Sequence, residues 1–221
     1  MTSALLERSI TSPFSREDGI YDHQSADIPE GIDQLQANEV LYPYLDYQTI
    51  QAAITWAARE IIQPLVDQQA LFLYNLKGAE TFAVELQELV PGMEIMPIKV
   101  STASGYKQFS EVKEDKTRWP DLDVFKGRTK IVVVEDINDS GQTLNYIAKR
   151  LIDQGIAADD IITITLFSKL IDQVAQHTPT YVLLEVINEF LVGQGLDEGN
   201  DRFRDLMALY ILTNEKNTDT N

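Results

Sequence analysis

One segment constrains the fold of this chain more than any other. Four β-branched residues, 131–134, run without alternation into two adjacent carboxylates, Glu135 and Asp136. A short polar loop follows at 139–143, and the pattern then turns helical. An unbroken apolar run is typical of a strand that is buried on both faces, as in a parallel sheet. The segment therefore predicts a strand, a tight loop and a helix within a parallel sheet.

The loop after this strand has the features of a ligand site. Ligands of open parallel sheets bind outside the carboxyl ends of the strands. The loop offers backbone N–H groups, two hydroxyls and a helix N-terminus, which together can hold a phosphate. The two carboxylates repel a phosphate but suit ribose hydroxyls or a hydrated Mg²⁺. The alternative is an ordinary helix N-cap made by Asp139 or Ser140. It leaves the two carboxylates at the end of a buried strand unexplained.

The charge balance limits the kinds of partner. The chain has 221 residues, of which 35 are acidic and 18 are basic, with a formal net charge of −17. A general nucleic-acid binder needs a basic face that neutralises phosphates, and no cluster of lysines and arginines supplies one. We therefore expect no nucleic-acid partner. Local amides, a few basic residues and Mg²⁺ can still hold a small polyphosphate.

Composition also bounds the compartment and the chemistry. No apolar run approaches the ~20 residues that span a bilayer, and residues 1–18 lack the pattern of a secretory signal. The absence of cysteine excludes disulfides, thiolate catalysis and cysteine-based zinc sites. We expect a cytoplasmic protein with no membrane partner. The two histidines, His23 and His177, are too few for a histidine-rich metal site, and we predict that both lie at the surface.

Hydrophobic periodicity predicts one α/β domain. A helix begins near Asp46, and Pro64 is expected to close or kink its end. After it, strand patterns alternate with helix patterns, which implies a mainly parallel sheet with helices on both faces. Besides the motif strand, the predicted strands are 71–74, 94–100, 161–167 and 181–186, and the predicted helices are 79–90 and one after the motif that ends at Gly155.

Three segments fall outside this alternation. Residues 1–40 are polar without a sustained period, and we interpret them as an N-terminal extension that is irregular, partly disordered or draped over the core. Residues 101–128 are charged and aperiodic, which suits either a flexible lid or a surface excursion. The domain itself is expected over 41–213, followed by a disordered tail at 214–221.

The motif segment resembles the phosphoribosyl-pyrophosphate (PRPP) motif of the type I phosphoribosyltransferases. That motif is a hydrophobic strand, two acidic residues, two variable positions and a loop with a glycine and a threonine. From about Ala70 to Ile211 the chain is similar to the 6-oxopurine group, the hypoxanthine-guanine phosphoribosyltransferases. The matching blocks follow the family's order: 74–78, 125–128, 166–169, 190–193, 196–197 and 203–206.

This resemblance implies a fold and a set of roles. The fold is α/β, a mainly parallel twisted sheet flanked by helices, with a small hood and a flexible lid loop. Asp139 is the expected general base or acid near purine N7. The expected purine contacts are Lys169, which donates to the exocyclic oxygen, the ring of Phe190 and the backbone of Val192. The expected PRPP contacts are Lys77, Gly78, Glu135, Asp136, Asp139, Ser140, Gly141, Gln142, Thr143 and Arg204. Mg²⁺ is expected at Asp197, Glu135 and Asp136, and the lid contacts at Gly105 and Tyr106.

Taken alone, several of these positions have ordinary interpretations. Lys77 also suits a plain turn between strand and helix. Lys169 suits a solvated strand end, and Phe190 suits a core position. Residues 197–201 suit a solvated turn. In the family, the peptide that corresponds to Leu76–Lys77 is often cis.

The activity implied by the resemblance is purine salvage. The 5-phosphoribosyl group of PRPP would pass to hypoxanthine or guanine and give IMP or GMP plus pyrophosphate, in a homodimer or homotetramer. One alternative is a phosphoribosyltransferase for another base, such as xanthine. Another is a non-catalytic protein that senses PRPP or a nucleotide on the same fold. Asp139 favours an enzyme, because a sensor can dispense with a base.

Four positions depart from the family pattern. Gly105 stands where serine is usual, and Gln142 replaces a common basic residue. Leu170 stands where arginine is frequent, and Ala79 where a second glycine is usual. Each departure can lower activity or shift the base preference, but none removes the expected base, metal ligand or purine contact.

Overall fold

The computed structural model describes residues 10–11, 35–36, 38–102, 112–171, 175–198 and 200–214. The strands in this part of the chain are β1 Ile10–Thr11, β2 Glu39–Leu45, β3 Leu71–Asn75, β4 Ile95–Ile98, β5 Val100–Thr102, β6 Val112–Glu114, β7 Ile131–Asn138, β8 Ile161–Lys169, β9 Tyr181–Val186, β10 Leu191–Val192 and β11 Leu209–Asn214. The α-helices are α1 Tyr47–Ala57, α2 Gln63–Asp67, α3 Ala79–Leu89 and α4 Gln142–Asp153. None of the helices in these ranges is long and apolar enough to cross a membrane.

The main sheet confirms the predicted parallel architecture. Its strand order is β1-β9-β8-β7-β3-β4, and neighbouring strands pair in parallel. In β7, Val132 and Val134 pack into a core shared with α1 and α3, whereas Ile131 and Val133 pack into a second core against α4. The unbroken apolar run therefore faces protein on both sides, as the sequence predicts.

The first helix continues past its predicted end. Asp46 caps α1, and its side chain accepts a hydrogen bond from the backbone N–H of Thr49 at 2.7 Å. After α1 the chain forms a π-helical turn at Ala58–Ile62 and then α2, which holds Pro64 in its first turn. Of the two predicted effects of Pro64, closure of the helix is wrong, and the regular α-helix is instead interrupted by the π-helical turn just before the proline. A proline is tolerated in the first turn of an α-helix, because the N–H groups of that turn make no hydrogen bond within the helix.

A small antiparallel sheet, which we call the hood, is separate from the main sheet. Its strand order is β10-β11-β2, so it joins segments from opposite ends of the domain. A separate cluster of buried side chains fills it: Leu41, Val192, Phe203, Ala208 and Tyr210. Tyr44 of β2 ties the hood to the main sheet, because its hydroxyl accepts a hydrogen bond from the N–H of Ile187 at 3.1 Å.

The segment expected to form the lid is described in part. β5 and β6 pair antiparallel on either side of residues 103–111. That range, which includes Gly105 and Tyr106, lies outside the described residues. The following residues are folded onto the domain. The indole N–H of Trp119 donates to the side-chain oxygen of Gln154 at 2.8 Å, and Phe125 is buried. The lid itself and the domain limits 41–213 stay predictions.

Candidate active site

The predicted site residues gather at the carboxyl edge of the main sheet. Asn75 ends β3, Asn138 ends β7 and Lys169 ends β8. In the parallel register Asn138 of β7 lies beside Ser168 of β8, so these two strand ends are level, whereas β3 ends beside the middle of β7. The loop after β7 and the turn after β3 therefore open on the same side, where ligands of parallel sheets bind.

The two adjacent carboxylates lie deep in this edge. Glu135 is buried, and its Oε2 accepts a hydrogen bond from Nδ2 of Asn75 at 3.0 Å. Oδ1 of Asp136 accepts from the backbone N–H of Ile137 at 2.8 Å. Burial raises the pKa of Glu135 well above its ordinary value, and the neighbouring charge of Asp136 raises it further. Burial also raises the pKa of Asp136. Hydroxyl donors or a cation brought by a ligand would stabilise the charged pair.

The turn after β3 fits closely over this pair. Gly78 has ordinary helical backbone angles, φ −59° and ψ −48°, so its conformation does not demand glycine. A β-carbon added there would stand 2.5 Å from Cγ of Asp136 and closer still to its Oδ2. The peptide Leu76–Lys77 is cis, as the family resemblance predicts. Glycine at position 78 therefore lets the turn approach the carboxylate.

The loop 139–143 is buttressed from behind. Gly141 adopts the left-handed region at φ +76°, and an added β-carbon would stand 2.6 Å from the carbonyl oxygen of His177. The N–H of Gln176 donates to the carbonyl of Ser140 at 2.9 Å. Helix α4 begins at Gln142, so its N-terminal amides follow the loop directly. The side chains of Asp139 and Ser140 are exposed. This arrangement can present backbone donors to a phosphate.

His177 is not the surface residue that the sequence predicts. Its ring is half-buried, and Nε2 lies 3.1 Å from the hydroxyl of Thr163. Burial lowers the pKa of the imidazole. The prediction failed because the chain segment 175–178 folds back on the loop 139–143, a long-range contact without a local sequence signal.

Of the residues expected to hold a purine, Lys169 contacts Asp139 directly. Lys169 is 13% exposed in its side chain, and its Nζ lies 3.2 Å from Oδ2 of Asp139. Lys169 is therefore not the freely solvated lysine of the ordinary interpretation. Phe190 is 47% exposed, so its ring is open to stacking and does not fill the core. Val192 is fully buried in the hood, backbone included, so its expected backbone contact with a base stays a prediction.

A second group of charges lies on the loop between β10 and β11. Arg204 forms an ion pair with Asp197 at 2.7 Å and donates through Nη1 to the carbonyl of Gly195. Lys77, from the turn after β3, pairs with Asp201 at 2.7 Å. The structure thus brings Lys77 and Arg204 to one loop although they are distant in sequence. We call these two residues the cation pair.

Arg202 braces this loop from the hood side, a contact absent from the predicted set of site residues. Its guanidinium donates to both carboxylate oxygens of Glu39, at 3.0 and 2.9 Å, and to Glu198 at 2.7 Å. These hydrogen bonds lower the pKa of both carboxyls. Phe203 next to it is buried at φ +65°. Glu39 and Arg202 are 163 residues apart, and their meeting depends on the pairing of β2 with β11.

The site suits a metal that arrives with its ligand. Among the described residues, no three His, Asp or Glu side chains lie together as a metal cage. Mg²⁺ bound to a polyphosphate keeps its waters and needs only one or two protein carboxylates. Asp197 and the buried pair Glu135 and Asp136 can supply those ligands at the same edge. The donor set therefore fits a magnesium polyphosphate.

Comparison with known proteins identifies the family. A family model described as the phosphoribosyl transferase domain matches residues 44–199. A hypoxanthine-guanine phosphoribosyltransferase of Streptococcus pyogenes is 34% identical over 151 residues, which cover 67% of this chain and 80% of that protein. The bifunctional protein TilS/HprT of Listeria monocytogenes is 30% identical over 181 residues, 80% of this chain. This chain spans only 27% of the length of the Listeria protein.

Solved structures agree on the fold. A hypoxanthine phosphoribosyltransferase from Staphylococcus aureus superimposes with a TM-score of 0.64 at 24% identity, covering 77% of this chain and 90% of that one. At this identity the likeness establishes the fold alone. Phosphoribosyltransferases generally use Mg²⁺ with PRPP. The chain therefore belongs to the type I phosphoribosyltransferase family, in which it is similar to the hypoxanthine-guanine enzymes.

Proposed function

We propose that this protein transfers the 5-phosphoribosyl group from PRPP to a 6-oxopurine, hypoxanthine or guanine. The products would be IMP or GMP and pyrophosphate. The observation that carries the proposal is the contact of Lys169 with Asp139, at 3.2 Å. This contact sets a hydrogen-bond donor beside a proton acceptor, and the exposed ring of Phe190 is the proposed stacking surface for an oxopurine.

Each of the three groups has a distinct task. Nζ of Lys169 donates to the exocyclic oxygen of the base. A 6-amino group in that place would offer this mostly buried ammonium no acceptor on the base, which disfavours adenine. The ring of Phe190 stacks on the purine face. The Asp139 carboxylate takes the proton that the purine loses as its N9 forms the glycosidic bond.

The sugar phosphate would lie between the two loops. The amides and hydroxyls of loop 139–143 bind a phosphate, and Glu135 and Asp136 bind the ribose hydroxyls. The cation pair, Lys77 and Arg204, binds the leaving pyrophosphate. As the bond between the ribose and the pyrophosphate breaks, positive charge develops on the ribosyl centre. The carboxylates of Glu135 and Asp136 offset this charge electrostatically. Mg²⁺, held by Asp197 with Glu135 and Asp136, would neutralise charge on the pyrophosphate.

Three further features belong to the proposal. The lid residues Gly105 and Tyr106 would close over the pyrophosphate and exclude water. Residues 41–213 would form the catalytic domain. By resemblance, the protein would act in the cytoplasm as a homodimer or homotetramer, which sedimentation of the purified protein can measure.

A product assay tests the proposed reaction. The protein is incubated with PRPP and Mg²⁺, and hypoxanthine, guanine, xanthine or adenine is supplied in turn. We expect a nucleotide from hypoxanthine or guanine, and a loss of rate of at least about 100-fold in Asp139→Asn, the range of a lost general base. Asp159→Asn is the matched control, because Asp159 is exposed just before β8 begins, at the opposite edge of the sheet. If none of the four bases yields a nucleotide, the proposal is wrong.

A further inference from the structure

Asp201 lies where an anionic ligand of the cation pair would lie. Its Oδ2 is 2.7 Å from Nζ of Lys77, and its Oδ1 is 3.2 Å from the guanidinium of Arg204. One carboxylate thus bridges both cations that the proposed function assigns to pyrophosphate. A pyrophosphate oxygen cannot take the same donors until this carboxylate leaves.

The backbone holds Asp201 in this position. The residue adopts φ +60°, and its N–H donates to Oδ2 of Asp197 at 2.8 Å. The next residue, Arg202, is fixed by its ion pairs with Glu39 and Glu198. The exposed Asp201 carboxyl is charged at neutral pH, as an aspartate ordinarily is. Loop geometry and charge both keep a carboxylate over the cation pair.

The contact is easily displaced by a stronger anion. The side chains of Lys77 and Asp201 are each 55% exposed, and exposed ion pairs are weak in water. A pyrophosphate carries several negative charges and more acceptor oxygens than a carboxylate, so it can displace Asp201 from Lys77 and Arg204. A small monoanion gains much less.

We propose that Asp201 is an internal competitor that sets the affinity of this site for pyrophosphate groups. The inference rests on the proposed function, because that function places pyrophosphate on Lys77 and Arg204. Asp201 would weaken the binding of PRPP and of product pyrophosphate alike, and it would speed the release of the product. It would also keep singly charged anions off the site.

Asp201→Asn removes the charge with little change of shape. Asparagine tolerates the left-handed backbone region, and the residue is exposed, so the loop keeps its path. We expect metal-free pyrophosphate to bind about five-fold tighter to the variant, the factor that an exposed ion pair of about 1 kcal/mol represents. Asp205→Asn is the matched control, because it makes the same charge change at another exposed position of the loop.

Titration calorimetry with pyrophosphate, without and then with Mg²⁺, decides the matter. Tighter metal-free binding in Asp201→Asn than in Asp205→Asn supports the competitor. Equal or weaker binding in Asp201→Asn overturns it, and so does the same gain in both variants. Weaker binding of Asp201→Asn with Mg²⁺ present also overturns it, since Asp201 would then be a metal ligand. The test needs no nucleotide synthesis. If the product assay yields no nucleotide, the proposed reaction is therefore refuted independently of the calorimetric result.

Discussion

Replacing Gly78 by alanine tests how the turn after β3 is fitted to Asp136. An added β-carbon would stand 2.5 Å from Cγ of Asp136 and closer to Oδ2, and ordinary contacts between such atoms begin near ~3.5 Å. The carboxylate must therefore move by more than 1 Å, or the turn must lift. Overpacking of this size costs about 1–3 kcal/mol. Alanine at a helical backbone position returns about 0.5–1 kcal/mol relative to glycine.

The expected net result is a loss of about 1–2 kcal/mol in the free energy of unfolding, measured by urea denaturation. The larger effect is on the ligand. A misplacement of about 1 Å in a reactive site costs on the order of 100-fold. We expect PRPP to bind at least 10-fold more weakly to Gly78→Ala, and calorimetry measures this directly.

A double-mutant cycle isolates the contact. In the Asp136→Ala background the obstructing carboxylate is absent, so Gly78→Ala should be neutral or slightly stabilising. The cycle should therefore show a coupling energy of about 1–3 kcal/mol. If Gly78→Ala binds PRPP as the native protein does, or costs the same stability in both backgrounds, the close approach of Gly78 to Asp136 is refuted.

Three other substitutions probe the site and its supports. Burial raises the pKa of Glu135, so the folded protein retains a proton that the unfolded chain releases above its ordinary value of 4.5. The free energy of unfolding therefore falls as the pH rises from the ordinary pKa of 4.5 toward the raised pKa of Glu135 in the folded protein. Glu135→Gln should be more stable than the native protein at pH 7, and an advantage that stays constant down to pH 4 would contradict this. Gly141→Ala adds a clash with the backbone of His177 to left-handed strain and should lower the free energy of unfolding by about 3 kcal/mol. Gly155→Ala is the control, because position 155 has φ +90° with open space around it, and it should lower that free energy by about 1 kcal/mol. Equal unfolding energies for the two would remove the buttress argument. Arg202→Met leaves two half-buried carboxylates unpaired and should cost about 2 kcal/mol, against less than about 0.5 kcal/mol for Lys126→Met in an exposed pair. Similar losses in urea denaturation would show that Arg202 does not brace the loop.

The sequence predicts those parts of the site whose chemistry is local. The apolar run before Glu135, the glycine loop and the helix after it are consecutive, so periodicity and residue type are sufficient. The meeting of Asp139 with Lys169, 30 residues apart, also follows from the sequence. Parallel strands bring their carboxyl ends to one edge.

What the sequence does not predict depends on long-range packing. Arg202 meets Glu39 only because β2 pairs with β11, and an isolated glutamate gives no sign of its partner. His177 is half-buried because its own segment, 175–178, packs on the distant loop at Gly141. The chain beyond Pro64 stays helical because a π turn precedes the proline. Local propensity describes neither of the two long-range contacts, and it does not predict the local π turn before Pro64.

The hood has a consequence for the order of folding during synthesis. The last strand of the main sheet ends at Val186, whereas among the described residues β2, at Glu39–Leu45, has β11, at Leu209–Asn214, as its one partner strand. A ribosome makes the chain from its N-terminus, so the sheet can form while β2 still waits for a partner. A pause at 187–208 would leave the backbone groups of β2 open to pairing with a neighbouring chain. The hood, which carries the proposed purine contacts Phe190 and Val192, is thus completed last, and the time that translation takes through this stretch sets how long β2 lacks its partner strand.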